Sequence, residues 1–313
     1  MDPLTHGLVG AAVAAAGGTD VSLTNPIFLA AALGAVSPDL DIVYQYWGDY
    51  VYLKHHRGFS HSLPGLMGFS VLIGGLLNLA FPAYSLWTLL FWAFIGALSH
   101  TFLDLLNSYG VMLFYPFSKK KYSLNLLMIS DPVLLICSMG IIYFKYQELN
   151  IIYPFVVLNF VYLFLRLLMR RRAEKLIRTY YGPYLEKLIV MPAFIGLAKW
   201  DFIARVNNKN IVGQLNLLSC KIAVHKKLKL IAEEIKEQLE KTKIYEIFKE
   251  FTPFFHIDYR IEDEKLVGRF IDMRYYVRNT FLHHATVIIN QEDKEVEKAL
   301  FQPYSIKNQI EIP

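Results

Sequence analysis

The sequence predicts a mainly α-helical membrane protein, in which a polytopic helical membrane domain is followed by a small α+β domain in the cytosol. Hydrophobic residues make up 54% of the 313 residues and concentrate before Arg170, whereas the remainder has the mixed composition of a soluble domain. Several uncharged runs in the first part approach the ~20 residues that a transmembrane helix needs. We therefore expect a helical membrane domain at residues 1–178 and an α+β domain at residues 179–313.

The strongest candidates for membrane-spanning helices are Tyr84–Leu106 and Ile151–Met169, because of their length and apolar composition. Gly65–Phe81 is slightly short but contains no charged residue, and the still shorter Pro132–Phe144 could pair with Ile151–Met169 as a helical hairpin. This region is therefore expected to cross the bilayer several times.

The two N-terminal apolar stretches, Leu4–Ala16 and Ile27–Val36, are too short to be assigned as spans with equal weight. Both are rich in Ala and Gly, and small residues allow helices to pack closely in lipid. They are expected to form either a compact membrane hairpin or a pair of helices at the edge of the bilayer.

Basic residues give the predicted orientation. The clusters around Lys54 and Arg57, at Lys119–Lys121 and at Arg170–Arg172 all flank apolar segments. Because cytoplasmic loops of membrane proteins are enriched in Lys and Arg, we place all three clusters in the cytoplasm. The formal net charge of +5 is modest and comes largely from these runs, so no nucleic-acid partner is expected.

Beyond Arg172 the pattern is that of a soluble α+β domain. Lys226–Glu250 has helical spacing and mixed charge, which predicts one solvated amphipathic helix. Apolar runs separated by turn-forming residues, such as those at 207–210 and 262–264, predict hairpins. The predicted strands are Lys199–Val206, Ile211–Ile222, Phe254–Ile261, Lys265–Tyr276 and Thr286–Asn290.

The most informative feature is a set of histidines and aspartates embedded in apolar sequence, where ionisable groups are costly and are normally functional. Imidazole and carboxylate together are the ligands of hydrolytic zinc or manganese sites. The predicted orientation brings all members of the set to one membrane level, near the cytoplasmic ends of their segments. In chain order the set is His6, Asp39, Asp41, His55, His56, His61, His100 and Asp104.

The segment 55–62, with the sequence HHRGFSHS, is the densest part of this set. Gly58 allows a tight backbone turn, and Arg57 offers a planar donor fork suited to phosphate or carboxylate. The alternative is a polar interfacial loop whose histidines face lipid headgroups. The functional interpretation is favoured because juxtamembrane ionisable residues are usually functional.

His100 and Asp104 have i, i+4 spacing, which places imidazole and carboxylate on one face of a helix. The alternative is a buried structural pair. Asp39 and Asp41 follow Pro38, which disfavours helix, so we expect a turn whose carboxylates ligate a metal or orient a ligating histidine. A solvated helix terminus is the alternative there. Asp131 is expected to cap the helix that follows it.

Other classes of site have no support in the sequence. The two cysteines, Cys137 and Cys220, are far apart, which argues against a disulfide framework or a thiolate metal site. There is no glycine-rich phosphate loop, no G-x-S-x-G motif and no HExxH motif. Three histidines of the predicted cytosolic domain, His256, His283 and His284, have no ligand spacing nearby and are expected to be structural.

The sequence resembles the YdjM-like family of membrane-bound metal-dependent hydrolases. The matching elements, which cover the first third of the chain, are Thr5-His6-Gly7, the SPDLD run at 37–41, the HRGFSHS block at 56–62, and His100 with Asp104. The resemblance implies metal-dependent hydrolysis but no particular substrate. The order of these residues is also similar to that in zinc phospholipase C enzymes, but those sites need further downstream histidines, and this chain has none before His225.

We therefore predict a polytopic inner-membrane hydrolase that uses one or two divalent metal ions at the cytoplasmic interface, with zinc favoured over manganese. The expected substrate is a phospholipid or another amphiphilic phosphoester, and the expected partners are membrane lipids. A metal-ion or small-solute transporter remains an alternative, as does a membrane anchor for a partner-binding domain. The predicted metal ligands are His61, His100, Asp104 and one of Asp39 or Asp41, with His6 and His56 as additional candidates; His56 and Arg57 are the predicted catalytic residues.

Overall fold

The computed structural model describes residues 2–149 and 151–312, and these form two compact units. The first unit contains the described residues up to Tyr44, together with those of His55–Arg171 and Met191–Leu197. The second contains Gln45–Lys54, Arg172–Val190 and the described residues from Ala198 onward. The first unit is helical and the second is built mainly from antiparallel sheet, so the predicted fold class is confirmed.

The helices of the first unit begin where the sequence provides capping residues. Asp2, Asn25, Ser62 and Asp131 each accept a backbone hydrogen bond in the first turn, and each is followed by proline within two positions. The expected capping role of Asp131 is therefore present. The helices are α1 Pro3–Ala16, α2 Pro26–Val36, α3 Asp49–His55, α4 Leu63–Ala80, α5 Leu86–Leu106, α6 Pro132–Tyr146 and α7 Tyr153–Tyr181.

Four helical segments of the described chain are long and apolar enough to cross a membrane: Pro26–Trp47, α4, α5 and Tyr153–Tyr184. α1 and α6 are shorter apolar helices. The last span is longer than predicted, because α7 continues through the arginines at 170–172 to Tyr181.

The expectation of a turn at Asp39 and Asp41 was wrong. The chain continues from α2 as a 3₁₀ helix, Ser37–Trp47, so the helical segment is 22 residues long. Ser37 keeps helical dihedral angles before Pro38, and its hydroxyl donates to the Gly34 carbonyl at 2.9 Å. The preference against helix before proline is therefore overcome locally, and the tighter 3₁₀ path begins there.

Glycine determines how closely α2 and α5 pack. A Cβ atom at Gly34 would overlap the Ala93 carbonyl oxygen, and one at Gly96 would overlap the Ala31 carbonyl oxygen. Only residues without a side chain permit this approach of two backbones, as is common between helices in membranes. The contact fixes the end of α2 beside the last turns of α5, where the predicted site residues lie.

The second unit has two main sheets and two short helices. One sheet has the strand order β1-β2-β3-β4 and the other the order β11-β10-β9-β6-β5, with a separate hairpin β7-β8. α8 Glu233–Glu240 and α9 Lys243–Phe251 pack on the five-stranded sheet through Leu239, Ile244 and Phe248. The strands are β1 Leu185–Pro192, β2 Lys199–Val206, β3 Lys209–Asn216, β4 Lys221–Lys229, β5 Phe255–Glu262, β6 Lys265–Asp272, β7 Tyr276–Val277, β8 Thr280–Phe281, β9 His284–Asn290, β10 Val296–Gln302 and β11 Ile310–Glu311.

Both predicted turns are present, with Asn207 and Asn208 joining β2 to β3 and Asp263 and Glu264 joining β5 to β6, all at positive φ. The single helix predicted over Lys226–Glu250 was wrong. Residues up to 229 belong to β4, which pairs with β3, and the rest is split into α8 and α9. Pairing with a neighbouring strand outweighs the helical spacing of this lysine-rich edge.

Candidate metal centre

Four stretches of the first unit bring the predicted residues together. α1 supplies His6, the start of the 3₁₀ helix supplies Asp39 and Asp41, the loop before α4 supplies His56 to His61, and the end of α5 supplies His100 and Asp104. The side chains of His6, His61, His100 and Asp104 are fully buried. A cluster of ionisable groups buried in apolar helices is costly unless its members are paired or bind a cation.

The packing of α2 against α5 orients His100. Its Nδ1 lies 2.7 Å from the Ala35 carbonyl oxygen, on the helix turn next to the glycine crossing. A carbonyl can only accept, so Nδ1 carries the proton and donates it. In the neutral ring, Nε2 then presents its lone pair to the centre of the cluster.

A relay through Ser60 orients His61 in the same way. The Ser60 hydroxyl donates to Asp41 Oδ2 at 2.8 Å and lies 2.9 Å from His61 Nδ1. Because the single hydroxyl proton is used on the carboxylate, Nδ1 of His61 is the donor in the second contact. Nε2 of the neutral His61 ring therefore also points a lone pair inward, and it lies 3.0 Å from Nε2 of His100.

Two carboxylates complete this arrangement. Asp39 Oδ1 lies 3.7 Å from His61 Nε2 and 3.5 Å from His100 Nε2. Asp104 Oδ2 lies 3.5 Å and 3.9 Å from the same two atoms. Four ligands arranged tetrahedrally around zinc at its usual bond lengths are roughly 3.3 Å apart. His61, His100 and Asp104 thus form one group that could hold a metal ion, and Asp39 approaches both imidazoles from beside it. The donor atoms have the chemistry of zinc ligands, and these distances are close to the spacing expected around one ion.

Asp41 lies beside this cluster as an orienting group. Besides the Ser60 hydroxyl, its carboxylate accepts a hydrogen bond from the Arg57 backbone N–H at 3.2 Å and lies 2.9 Å from His56 Nδ1. Asp39, Asp41 and His56 also have ligand atoms within 4.8 Å of one another, as do His6, Asp39 and His100. Each of these two groups, which share Asp39, could hold a metal ion.

Arg57 differs from its predicted placement. Its planar fork, predicted for a substrate anion, is engaged by Asp104, with Nε 2.9 Å from Oδ2 and Nη2 3.1 Å from Oδ1. Nη1 is buried, and no described residue accepts a hydrogen bond from it. Arg57 also has a φ of 62°, a left-handed conformation that costs a non-glycine residue about 1–3 kcal/mol and is typical of functional sites.

The outer histidines have different environments. His6 stacks on His100 with ring centroids 3.5 Å apart, and its Nε2 lies 3.4 Å from Asp104 Oδ1. His56 is partly exposed and is held by Asp41. His55 is exposed and stacks on Tyr44, so the structure does not bring it into the cluster.

The electrostatics of the loop favour a cation at its centre. Burial alone would lower the pKa of His61, but its contacts with Asp104 and Asp39 outweigh burial and hold that pKa above the ordinary value. Burial lowers the pKa of His56 in spite of its hydrogen bond with Asp41, so this ring is neutral near pH 7. The carboxylates that favour a proton on His61 would equally favour a metal ion beside it.

Two functional groups were missed from the sequence. Ser60 relays between Asp41 and His61, and the Ala35 carbonyl fixes the orientation of His100. The serine could have been noticed because it lies inside the HRGFSHS block. Nothing in the sequence indicates the carbonyl, since its position depends on how α2 crosses α5.

The fold and this cluster define a polytopic membrane protein with a buried His/Asp site suited to a cation. The chain belongs to the family described as YdjM inner membrane protein, whose model matches residues 1–173, and this confirms the resemblance drawn from the motifs. That family is known as one of membrane-bound metal-dependent hydrolases.

The C-terminal part has a match of its own, because the model of the YfhP C-terminal alpha/beta plait domain matches residues 234–308. Over 303 residues the chain is 24% identical to the uncharacterized protein YfhP of Bacillus subtilis (strain 168). That similarity covers 93% of this chain and 92% of the relative. No solved structure matches.

Proposed function

We propose that this protein is a membrane-embedded metal-dependent hydrolase whose ion is held by Asp39, His61, His100 and Asp104. The observation that carries this proposal is the 3.0 Å approach of two imidazole Nε2 atoms, each oriented as an acceptor by its own Nδ1 contact. Two lone pairs facing each other at this distance repel unless a proton or a metal ion lies between them, and the neighbouring carboxylates favour either cation. Two adjacent carboxylates supply the balancing negative charge.

Zinc suits this set of two imidazoles and two carboxylates, and manganese is the second choice. Such an ion supplies Lewis-acid polarisation of the scissile group and makes water easier to deprotonate. The protein contributes the orientation of the ligands, through Ala35 for His100, Ser60 for His61 and Arg57 for Asp104. Partners of this kind fix ligand geometry and strengthen metal binding.

His56 is proposed as the general base. Asp41 accepts from Nδ1 of His56 and so selects the tautomer whose Nε2 can accept a proton from water. The lowered pKa of His56, caused by burial, keeps the ring neutral and able to act in this way at pH 7. Arg57 is proposed to direct Nη1 towards negative charge that develops on the substrate, while its other nitrogens hold Asp104.

The proposed substrate is an amphiphilic phosphoester such as a phospholipid. On the site segments, the polar residues alternate with exposed apolar side chains. Leu40 and Ile42 flank Asp41 and are 55% and 56% exposed, and Phe59, between Arg57 and His61, is 56% exposed. A site with these neighbours is suited to a molecule that has both an anionic head and an apolar part.

The test is metal analysis of the full chain purified in detergent without chelators. Wild type should contain about one or two divalent ions per chain, and His61→Ala should lose them. His55→Ala is the matched control from the same loop, because His55 lies outside the cluster, and it should keep the wild-type metal content. Absence of metal from wild type, or equal metal in both variants, would overturn the proposal. Retention of metal without phosphoesterase activity on phospholipid vesicles, combined with rapid metal exchange, would support a transporter.

We also propose that the site and the C-terminal domain face the cytoplasm of the cell membrane, because this orientation places all three basic clusters inside. The protein has a native probe for this, since Cys220 is exposed in the C-terminal domain whereas Cys137 is buried. A membrane-impermeant maleimide should label Cys220 only after cell lysis. If the reagent labels intact cells and this labelling disappears in Cys220→Ser, the C-terminal domain lies outside the cytoplasm and the proposed orientation is wrong.

A further inference from the structure

The segment between Asp41 and His56 does not stay with the membrane unit. The chain leaves that unit after Tyr44, runs through Gln45–Lys54 as part of the second unit, and returns to the first at His55. We call Gln45–Lys54 the strap. Its two ends lead directly to groups that meet at the metal centre, because Asp41 Oδ1 lies 2.9 Å from His56 Nδ1.

The strap is held by the C-terminal part of the chain. Tyr50 and Leu53 pack against the hydrophobic core of the five-stranded sheet, and the Tyr50 ring meets the Phe301 ring edge-on at a centroid distance of 5.8 Å. Asn308 Nδ2 donates to Asp49 Oδ2 at 3.0 Å. One aromatic contact and one hydrogen bond thus fix the strap to residues more than 240 positions later.

This anchoring matters because the residues at the two ends of the strap need outside support to keep their arrangement at the metal centre. The contact of Asp41 with His56 closes a loop across 15 positions, which costs conformational entropy unless the intervening residues are already held. Arg57 follows immediately in a strained left-handed conformation. Such a conformation persists only where its surroundings determine it from several sides.

We propose that the C-terminal domain positions the His56–Arg57 side of the metal centre through the strap, with Tyr50 and Asn308 as positioning residues. This rests on the metal site proposed above. Asp41 orients His61 through Ser60, and Arg57 orients Asp104, so loss of the strap's position would reach two metal ligands indirectly. The C-terminal domain is thereby a control element for metal affinity in the membrane unit.

The experiment measures the zinc dissociation constant of the full chain by competition with a chromophoric chelator. Tyr50→Ala and Asn308→Ala should each weaken zinc binding by roughly tenfold, as expected for loss of groups that orient metal ligands. Tyr50→Phe keeps the ring contact with Phe301 and should bind zinc with wild-type affinity. Tyr46→Ala is the matched control, because Tyr46 belongs to the strap but is 90% exposed, and it should bind zinc like wild type.

Hydrogen exchange on the same proteins distinguishes positioning from damage to the fold. Peptides covering residues 55–61 should lose protection in the two weakened variants, while peptides covering β9 and β10 keep theirs. If Tyr50→Ala also loosens β9 and β10, Asn308→Ala decides the question. If Asn308→Ala binds zinc as tightly as wild type although residues 55–61 have lost their protection from hydrogen exchange, the proposal is overturned. A wild-type chain that binds no zinc would overturn the proposed function and this proposal together, whereas unchanged variants of a zinc-binding wild type overturn only the role of the strap.

Discussion

Each unit of the protein contains a fully buried aspartate that forms an ion pair with an arginine, and the two pairs differ in the residues that surround them. In the second unit, Asp272 accepts bonds from Arg274 Nε and Nη2, from the Arg274 backbone N–H and from the Thr252 hydroxyl. In the membrane unit, Arg57 grips Asp104, but the further neighbours of Asp104 are the ring nitrogens of three histidines, namely His6, His61 and His100.

The surroundings of Asp272 balance its charge within the local chain. Burial alone would raise the pKa of Asp272, but Arg274, two residues away, outweighs burial and holds that pKa below its usual range. The carboxylate is satisfied by hydrogen-bond donors, as expected of a structural ion pair.

The membrane cluster is not balanced in this way. Asp39 adds a second carboxylate, and its neighbours at the centre are His61 and His100 rather than a lysine or arginine of the described chain. Both imidazoles present acceptor nitrogens. Burial and an arginine partner are therefore common to both carboxylates. What sets Asp104 apart is its position among imidazole nitrogens that need a proton or a metal ion between them, and the proposed metal site rests on that difference.

The buried histidines of the two units differ in the same way as the two aspartates. His256 Nδ1 lies 3.1 Å from the Asn210 side-chain amide, and the Tyr304 backbone N–H donates to His283 Nδ1 at 3.3 Å. Burial lowers the pKa of each of these histidines to about 4. They are neutral rings with protein donors beside them, whereas His61 and His100 face each other and two carboxylates.

Replacing either aspartate by alanine should change the protein most. Asp104→Ala and Asp272→Ala should each destabilise the protein by about 3–5 kcal/mol, because each leaves a buried guanidinium unpaired. Only Asp104→Ala should lose metal. Thermal unfolding in detergent and metal analysis of both variants check this. Loss of metal from Asp272→Ala would contradict the claim that only Asp104 supports metal binding.

Packing of α2 on α5 gives the next largest effect. Gly96→Ala should cost about 1–3 kcal/mol by overpacking, and it should lower metal content because it moves His100 away from Ala35. Gly75→Ala in α4 is the control, since a Cβ there meets no described atom within 4 Å. That variant should be neutral or more stable by up to about 1 kcal/mol and should keep its metal. Equal behaviour of the two variants would show that the glycine crossing does not support the site.

A milder comparison replaces each arginine by lysine, which keeps the charge but loses the planar fork. Arg57→Lys should weaken metal binding by about 10- to 100-fold, because Arg57 orients a ligand. Arg274→Lys should leave metal affinity unchanged. Chelator competition measures both. Full metal affinity in Arg57→Lys would restrict Arg57 to a role in catalysis or stability.

The smallest effect concerns pH. His256 is neutral in the folded state with a pKa of about 4, below the ordinary value of 6.5. Its contribution to stability is therefore complete above about pH 6.5 and is lost as pH falls towards 4. Between pH 7 and pH 5 the C-terminal domain should lose about 1–2 kcal/mol through this residue. Hydrogen exchange of β5 and β6 in the full chain should show the loss, and His256→Gln should reduce it; an equal loss in the variant would locate the titration elsewhere.

Local signals made much of the fold predictable. The Asn207-Asn208 and Asp263-Glu264 turns define their hairpins, and apolar runs define the helices α4 to α7. β4 was missed because its lysines have helical spacing, and only its pairing with β3 makes it a strand. β10 and the short β11 were missed for the same reason, since β10 depends on pairing with β9 and β11 on pairing with β10 rather than on local pattern.

For the site, the sequence indicated the residue types but not their relations. It could not choose between Asp39 and Asp41, because that choice depends on how the 3₁₀ helix turns beside His61. The sequence predicted that Arg57 contacts an anionic substrate, whereas the structure pairs its guanidinium with the carboxylate of Asp104, 47 positions away. The excursion of Gln45–Lys54 into the second unit depends on contacts with residues near the end of the chain, and no local pattern predicts such contacts.

The X-ray absorption spectrum of the metal in the purified full chain shows directly which atoms bind the ion. A site built from Asp39, His61, His100 and Asp104 should give a shell of nitrogen and oxygen only, at about 2.0–2.2 Å, with outer-shell scattering from two imidazole rings. Replacing His100 by alanine should remove the imidazole scattering together with the metal. A sulfur shell at about 2.3 Å would assign the ion to a cysteine instead, and it would contradict a site built from Asp39, His61, His100 and Asp104.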